Sequence, residues 1–211
     1  LVLTGGVSDE AANYSDALGN ISAGLTAIAA QDNDATLTVT TAVNMLQMAD
    51  INASTSAAVV LTGGISDQAV NLVNAAGDTE TTEFEAATTQ DGDVAVVITG
   101  GVAANAAQIS AVANATTGAV TASIAGNFSV VNALANTDTD DQITITVNDA
   151  INVANVNTLN AKTGANLVLT GGVSDQAVNM VNTAGDTETG GFTAATTQDG
   201  DVAVVITGGV A

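Results

Sequence analysis

The feature that most constrains this chain is a long internal duplication. Residues 59–103 recur as residues 167–211, and only 7 of the 45 aligned positions differ. Such near-identity indicates tandem repeats, which bury their apolar faces by stacking on one another. The offset of 108 residues predicts a partial repeat at 1–58, a full repeat at 59–166 and the start of a further copy at 167–211. Because the sequence begins and ends inside recurring motifs, we expect a segment of a larger array.

A shorter rhythm of β-branched runs lies inside the duplication. These runs predict short strands, because they are rich in Val, Ile and Thr and are flanked by Gly, Asp and Asn. The continuous apolar run at 94–98 predicts a strand that is covered on both faces. The runs end in Thr at steps of 22 to 37 residues, at Thr4, Thr40, Thr62, Thr99, Thr121, Thr146, Thr170 and Thr207.

Between the runs, apolar residues take a helical spacing. Stripes of four residues, most of them at i, i+3, i+4 and i+7, predict short amphipathic helices. We expect Ser66–Asp67 and Ser174–Asp175 to cap two of them, Gly77 and Gly185 to end them, and residues 79–90 to be an insertion. The stripes are Ala42/Met45/Leu46/Ala49, Ala69/Leu72/Val73/Ala76, Ala177/Met180/Val181/Ala184 and Val102/Ala106/Ile109/Ala113.

Together these patterns predict an α/β repeat fold, a solenoid-like array of short parallel strands alternating with short helices. A strand, a helix and a second parallel strand form a natural right-handed connection. The alternative is a tandem all-β sandwich in which the helical stripes are loops.

The composition excludes most catalytic and cofactor chemistry. The chain has no Cys and no His, so Ser-His-Asp and Cys-His catalysis and most transition-metal sites are ruled out. One Lys, Lys162, stands against 22 acidic residues, and the formal charge of -21 argues against nucleic-acid partners. No apolar run approaches the ~18 residues of a membrane span, so we expect no membrane insertion. We expect a protein that is not an enzyme.

Four Asp-x-Asp pairs occupy a fixed place before the predicted strands. In each pair the second Asp lies six residues before a Thr that ends a strand. Parallel strands would bring all four pairs to one edge of the sheet, where carboxylate and carbonyl oxygens are ligands that Ca²⁺ prefers. The pairs are Asp32/Asp34, Asp91/Asp93, Asp138/Asp140 and Asp199/Asp201.

Other interpretations of the acidic pairs remain open. Asp and Gly are ordinary turn residues before any strand, and the sequence contains no complete EF-hand loop. Solvated turns are therefore the alternative to Ca²⁺ binding. A pair of carboxylates can also indicate a glycosidase, but a catalytic dyad is normally unique in a domain, whereas these pairs occur four times.

The segments at 117–124 and 143–161 carry a resemblance to a known class of repeat. They resemble the low-lysine, Asp/Thr/Asn-rich tandem repeats of giant secreted surface proteins of marine bacteria and cyanobacteria. The resemblance implies an extracellular or cell-surface location and a structural, adhesive or surface-layer role, often with calcium. We therefore expect a segment of an extracellular filament, surface layer or adhesin stalk whose partners are copies of itself. The alternatives are a carbohydrate- or surface-binding module, as in an adhesin or phage fibre, and an ice-binding solenoid.

Overall fold

The computed structural model describes residues 3–100 and 103–208. Short parallel strands alternate with short helices, so the predicted α/β class is confirmed. The all-β sandwich is wrong, because helices occupy the segments between strands. The chain divides into two compact units, residues 1–104 with 111–120 and residues 105–110 with 121–211. Within the described ranges, no helix combines the length and the apolar character needed to cross a membrane.

Each unit is built from short elements in chain order. The first unit contains β1 (Val7–Asp9), α1 (Ala11–Tyr14), α2 (Ala23–Gln31), β2 (Leu37–Val39), α3 (Met45–Ala53), β3 (Val59–Val60), β4 (Ile65–Gln68), α4 (Ala69–Leu72), α5 (Thr82–Gln90) and β5 (Val96–Thr99). The division between the units falls within α6 (Ala106–Ala115) and at the start of β6 (Val120–Gly126). The second unit continues with α7 (Phe128–Val131), β7 (Gln142–Val147), α8 (Val153–Asn160), β8 (Leu167–Val168), β9 (Val173–Asp175), α9 (Ala177–Met180), α10 (Gly190–Gln198) and β10 (Val204–Ile206).

Strand segments that follow one another in the sequence pair in parallel. In the first unit β1 pairs with β2, β2 with β3, and β4 with β5. In the second unit β6 pairs with β7, β7 with β8, and β9 with β10. Parallel bridges also join Val43 to Ile65 and Ile151 to Val173, which links β4 and β9 to the residues that follow β2 and β7. The helices therefore act as crossovers between parallel neighbours.

The repeated Leu-Thr-Gly-Gly motif forms the bend between β3 and β4 and between β8 and β9. Gly64 has a φ of +77°, and a Cβ there would lie 2.7 Å from the carbonyl oxygen of Ala95. Gly172 has a φ of +76°, with the carbonyl oxygen of Ala203 at 2.5 Å. Only glycine fits, because the backbone is left-handed and the neighbouring strand lies against it. The bend lets one segment pair first with the preceding strand and then with the following one.

The core of the first unit is aliphatic, with two buried aromatic rings. Leu25, Leu37, Met48 and Phe84 are fully buried and belong to one cluster with Tyr14. The helices that cover the strands start at capping side chains. These caps include the Ser22 hydroxyl, which accepts from the Leu25 N–H, and a reciprocal Asn44–Gln47 capping box. The clusters on the helices and strands thus bury the apolar stripes that the short elements could not bury alone.

The structure corrects the predicted helix around residue 69. Asp67 lies in β4, and the residue before α4 is Gln68, which caps the helix with no side-chain bond. The helix ends at Leu72 rather than near Gly77, so Ser66–Asp67 is not its cap and Gly77 is not its end. Ser174–Asp175 and Gly185 follow the same pattern around α9. The interpretation of residues 79–90 as an insertion is also wrong, because they contain α5, the longer helix of this repeat.

Two burial predictions also differ from the structure. Leu46 is 57 % exposed, and α3 instead buries Met45, Met48 and Ile51. Val97 is 41 % exposed while Val96 is fully buried, so β5 is covered on one face only. The strands predicted to end at Thr40, Thr99 and Thr146 are confirmed as β2, β5 and β7. The helix predicted from Ala106 is confirmed as α6, whereas Val102 lies outside the described residues.

Candidate metal site at the acidic pairs

The first Asp of three pairs holds the backbone of a neighbouring strand segment. Asp91 caps the C-terminus of α5, and its Oδ2 accepts a hydrogen bond of 2.7 Å from the Leu61 N–H. Asp199 caps α10 and accepts from the Leu169 N–H, also at 2.7 Å. Asp32 caps α2 and accepts from the Leu3 N–H. One carboxylate oxygen of each first Asp is therefore engaged in holding a Leu-Thr-Gly-Gly segment.

The preceding Gln makes a second bond to the same segment. The Gln90 Oε1 accepts from the Val59 N–H at 2.7 Å, and its Nε2 donates to the Asn52 Oδ1 at 2.7 Å. Gln198 repeats both contacts, with the Leu167 N–H at 3.0 Å and the Asn160 Oδ1 at 2.7 Å. We call this Gln-Asp dipeptide the backbone clamp. The sequence analysis missed the Gln, although Gln precedes the first Asp in the pairs that begin at Asp32, Asp91 and Asp199.

The second Asp of each of these three pairs is exposed. Asp34, Asp93 and Asp201 each lie three residues before a strand, where solvent reaches their carboxylates. A hydrogen bond with Asp32, together with its negative charge, raises the pKa of Asp34. The pKa of Asp32 is lowered, first by the Leu3 N–H and then by the bond with Asp34. The two carboxyls at the first pair thus favour a shared proton, and a bound cation would displace it.

The fourth pair does not follow the clamp pattern. The Asp138 Oδ1 accepts from the Asp140 N–H at 2.8 Å, so this carboxylate closes its own turn. The Asp141 Oδ2 in turn accepts from the Asp138 N–H at 3.1 Å. Asp141 is buried while Asp138 and Asp140 are exposed. The residue before Asp138 is Thr rather than Gln, which is consistent with the missing clamp.

The geometry limits how the pairs could hold Ca²⁺. In the first unit the pairs precede β2 and β5, and the segment 59–68 lies between these two strands. Two strand spacings separate them by roughly 10 Å, whereas ligands of one Ca²⁺ lie within about 5 Å of each other. Separate pairs therefore cannot share one ion through this edge. In the residues that the structure describes, no group of three or more acidic side chains is close enough to hold a metal. Any Ca²⁺ would need backbone carbonyls and water beside a single pair.

A second set of Asp residues, at the ends of β4 and β9, also bonds to backbone. The Asp67 Oδ1 accepts from the Gln68 N–H and the Asn71 Nδ2, both at 2.7 Å, and its Oδ2 accepts from the Met45 N–H at 2.8 Å. Asp175 makes the same three kinds of contact. The hydrogen bond from Asn179, followed by the N–H groups of Gln176 and Val153, lowers its pKa. These carboxylates are structural caps, and both oxygens of each are occupied.

Small Asn–Asp loops close the turn before the longer helices. The Asn74 Nδ2 donates to the Asp78 Oδ1 at 2.6 Å, and Asn182 donates to Asp186 at 2.7 Å. In the first repeat the two residue types are exchanged, since the Asn20 Nδ2 donates to the Asp16 Oδ2 at 2.8 Å. The Asn amide lowers the pKa of each of these Asp residues. The pairing survives the exchange because the amide and the carboxylate complement each other from either position.

Each unit carries an open groove beside its long helix. The groove of the second unit has a volume of about 600 Å³, and that of the first unit about 360 Å³. Several lining residues of the two grooves are related by the 108-residue offset. Polar side chains in the larger groove are already bonded within the protein, since Asn179 donates to Asp175 and the Thr189 hydroxyl donates to the Asn179 carbonyl. The offset pairs are Met45/Val153, Leu46/Ala154, Ala49/Asn157, Asp67/Asp175, Val70/Val178, Asn71/Asn179, Thr81/Thr189 and Glu83/Gly191.

The fold and these contacts define an α/β protein of parallel strand segments held together by side-chain bonds to backbone. Comparison of the chain with protein-family models, with curated proteins and with solved structures gives no match.

Proposed function

We propose that this chain is a non-enzymatic structural repeat segment of an extracellular filament, surface layer or adhesin stalk. In this proposal its repeats stack as a solenoid, and its partners are further copies of itself. The observation that carries the proposal is the backbone clamp, which recurs in register and ties each long helix to the strand segment that precedes it. A contact of this kind stabilises a neighbour rather than a ligand, as stacked repeats require.

The proposed stacking sets a length per repeat. The 108-residue repeat contains four strand positions, ending near Thr62, Thr99, Thr121 and Thr146. At about 4.8 Å per parallel strand, one repeat would lengthen the stack by about 19 Å. Independent globular domains of this size would add ~30 Å or more each, because a 100-residue domain has a radius of gyration of about 13 Å.

This difference provides the experiment. Chains lengthened by one, two and three extra copies of residues 59–166, inserted after Asn166, are imaged by electron microscopy and measured by small-angle X-ray scattering. Stacking predicts growth of about 19 Å per copy at constant cross-section. Growth by a domain diameter per copy, with a flexible beaded profile, would contradict the structural proposal. Antibodies against the chain should label filaments or a lattice outside intact cells, and label confined to the cell interior would contradict the location.

We further propose that Ca²⁺ binds beside the exposed second Asp of the acidic pairs and stiffens the stack. The exposed carboxylates of Asp34, Asp93 and Asp201 and the charge of -21 support this part of the proposal. Calorimetric titration with Ca²⁺ and thermal unfolding with and without EDTA test it. An identical melting temperature in both conditions would remove the Ca²⁺ part and leave the stacking proposal intact.

A second candidate function is a carbohydrate- or surface-binding module, favoured by the repeated groove. Its walls combine Asn, Asp and Thr side chains with the apolar surfaces of Val153 and Val178. A glycan array with saturable hits that Asn157→Ala abolishes would support this candidate over the structural one.

A further inference from the structure

Two strands of identical sequence have very different surroundings. Residues 94–99 and 202–207 share the sequence Val-Ala-Val-Val-Ile-Thr and contain β5 and β10. Val96 is fully buried, whereas its counterpart Val204 is 41 % exposed. Val205 and Ile206 are 56 % and 65 % exposed. Because the sequences match, the difference comes from what lies against each strand.

The first unit shows what covers β5. The Val96 N–H donates to the Ala119 carbonyl at 3.0 Å, and the Thr117 N–H donates to the Gly92 carbonyl at 2.9 Å. The Thr116 hydroxyl donates to the Val94 carbonyl at 2.7 Å. The cover is therefore a set of specific hydrogen bonds from residues 116–119 to the start of β5.

Apolar packing and close backbone approach complete this cover. Val112 and Val120 are fully buried in the same cluster as Val96. A Cβ on Gly118 would lie 2.3 Å from the Asp93 carbonyl oxygen, so the two backbones touch. The strand accepts this segment through its shape as well as its hydrogen bonds.

We propose that β10 is a docking surface for the segment 104–120 carried by another copy of this repeat. The acceptor side is already present, because Gly200, Val202 and Val204 stand where Gly92, Val94 and Val96 stand in the first copy. The exposed apolar side chains of β10 would be buried by the counterparts of Val112 and Val120. This inference rests on the proposed stacking of repeats, and it names the surface and the segment through which one copy meets the next.

The test extends the chain and follows one amide. Adding residues 104–126 after Ala211 reproduces the junction that follows Ala103. Amide hydrogen exchange resolved by NMR is then measured at Val204, with Val96 of the same molecule as the internal reference. We expect exchange at Val204 to slow by at least about tenfold and to approach the rate at Val96. The matched control carries the same extension with aspartate in place of the added counterparts of Val112 and Val120, and its Val204 should exchange as in the original chain.

Three outcomes would overturn the proposal. Unchanged exchange at Val204 in the extended chain would show that the segment does not dock. Equal slowing with the control extension would show that any added chain covers the strand. Slow exchange at Val204 in the original chain that disappears on dilution would show that β10 pairs with another whole molecule instead. None of these results depends on filament length or on Ca²⁺, so a failure here is distinguishable from a failure of the proposed function.

Discussion

The backbone clamp makes a prediction that separates the two members of one acidic pair. Leu61 is only 3 % exposed, and its N–H is bonded to the Asp91 Oδ2 at 2.7 Å. The variant Asp91→Ala removes the acceptor and leaves this N–H without its partner in a buried place. An unsatisfied buried donor costs about 1–3 kcal/mol, so we expect the free energy of unfolding to fall by about 2 kcal/mol.

The matched control is Asp93→Ala, two residues further along the same turn. Asp93 is exposed, and its truncation should change the free energy of unfolding by no more than about 0.5 kcal/mol. Both variants remove one negative charge from a chain of formal charge -21, and both remove one carboxylate from the same candidate Ca²⁺ pair. Their difference therefore isolates the bond to Leu61.

Equilibrium unfolding in urea, followed by far-UV circular dichroism in EDTA, measures this difference. The slope of the transition should be unchanged while the midpoint moves, because the surface exposed on unfolding is the same. In thermal scans a loss of about 2 kcal/mol lowers the melting temperature by roughly 4–8 °C for a chain of this size. Equal losses for the two variants, or a larger loss for Asp93→Ala, would refute the clamp and favour a shared role for both carboxylates.

Three further outcomes follow from particular contacts. Gly64→Ala should cost about 2 kcal/mol or more in urea unfolding, since φ is +77° and the Ala95 carbonyl lies 2.7 Å from the new Cβ, whereas Gly92→Ala, with its nearest atom at 3.6 Å, should cost far less; equal costs would contradict the close approach. Burial, followed by the charge of Asp9, raises the pKa of Tyr14 to about 12, so absorbance at 295 nm should titrate there and stability should fall as the pH rises above 10; a midpoint near 10 would contradict this burial. The amide of Asn74, followed by the Thr79 hydroxyl, lowers the pKa of Asp78, so this carboxylate stabilises the fold above its ordinary pKa of 3.8 and the contribution is lost as the pH falls through the lower folded value; Asn74→Ala should bring the carboxyl ¹³C titration midpoint back toward 3.8, and no movement would contradict the bond.

The strands could be predicted from the sequence, whereas one class of helix could not. The β-branched runs that became β2, β5 and β7 carry both strand propensity and flanking turn residues, so local and tertiary preferences agree. The helix α5 has little apolar periodicity, and only Phe84 and Ala87 are buried in it. It folds because Thr81 caps its start and because a single Phe reaches the core. A stripe-based analysis therefore interpreted it as an insertion.

The acidic pairs were found by their spacing, but their individual roles could not be. Spacing locates Asp91 and Asp93 at the start of a strand, and it treats them alike. The bond from Leu61 depends on which segment pairs alongside, about 30 residues away in the sequence, and no local pattern contains that information. A Gln before the first Asp of three pairs was the available signal, and its absence at Asp138 matches the different contacts of that turn.

The differences between the two copies show which contacts keep the repeats in register. None of the seven differing positions is a clamp residue, an Asn–Asp loop residue or a strand-end Asp. Three exchange one buried aliphatic side chain for another, at Val59/Leu167, Ile65/Val173 and Leu72/Met180.

The helix seam, in contrast, changes in compensating pairs. Gly191 leaves no space for a side chain, because a Cβ would lie 2.5 Å from both the Val153 Cγ1 and the Asn157 Nδ2. In the first copy Glu83 takes the place of this glycine, and the smaller Ala49 takes the place of Asn157 in the same groove. Bonds to backbone fix the register whatever the neighbouring side chains are, so the helix surfaces are free to vary from copy to copy. Such a division suits a stacked scaffold that presents different grooves along one continuous core.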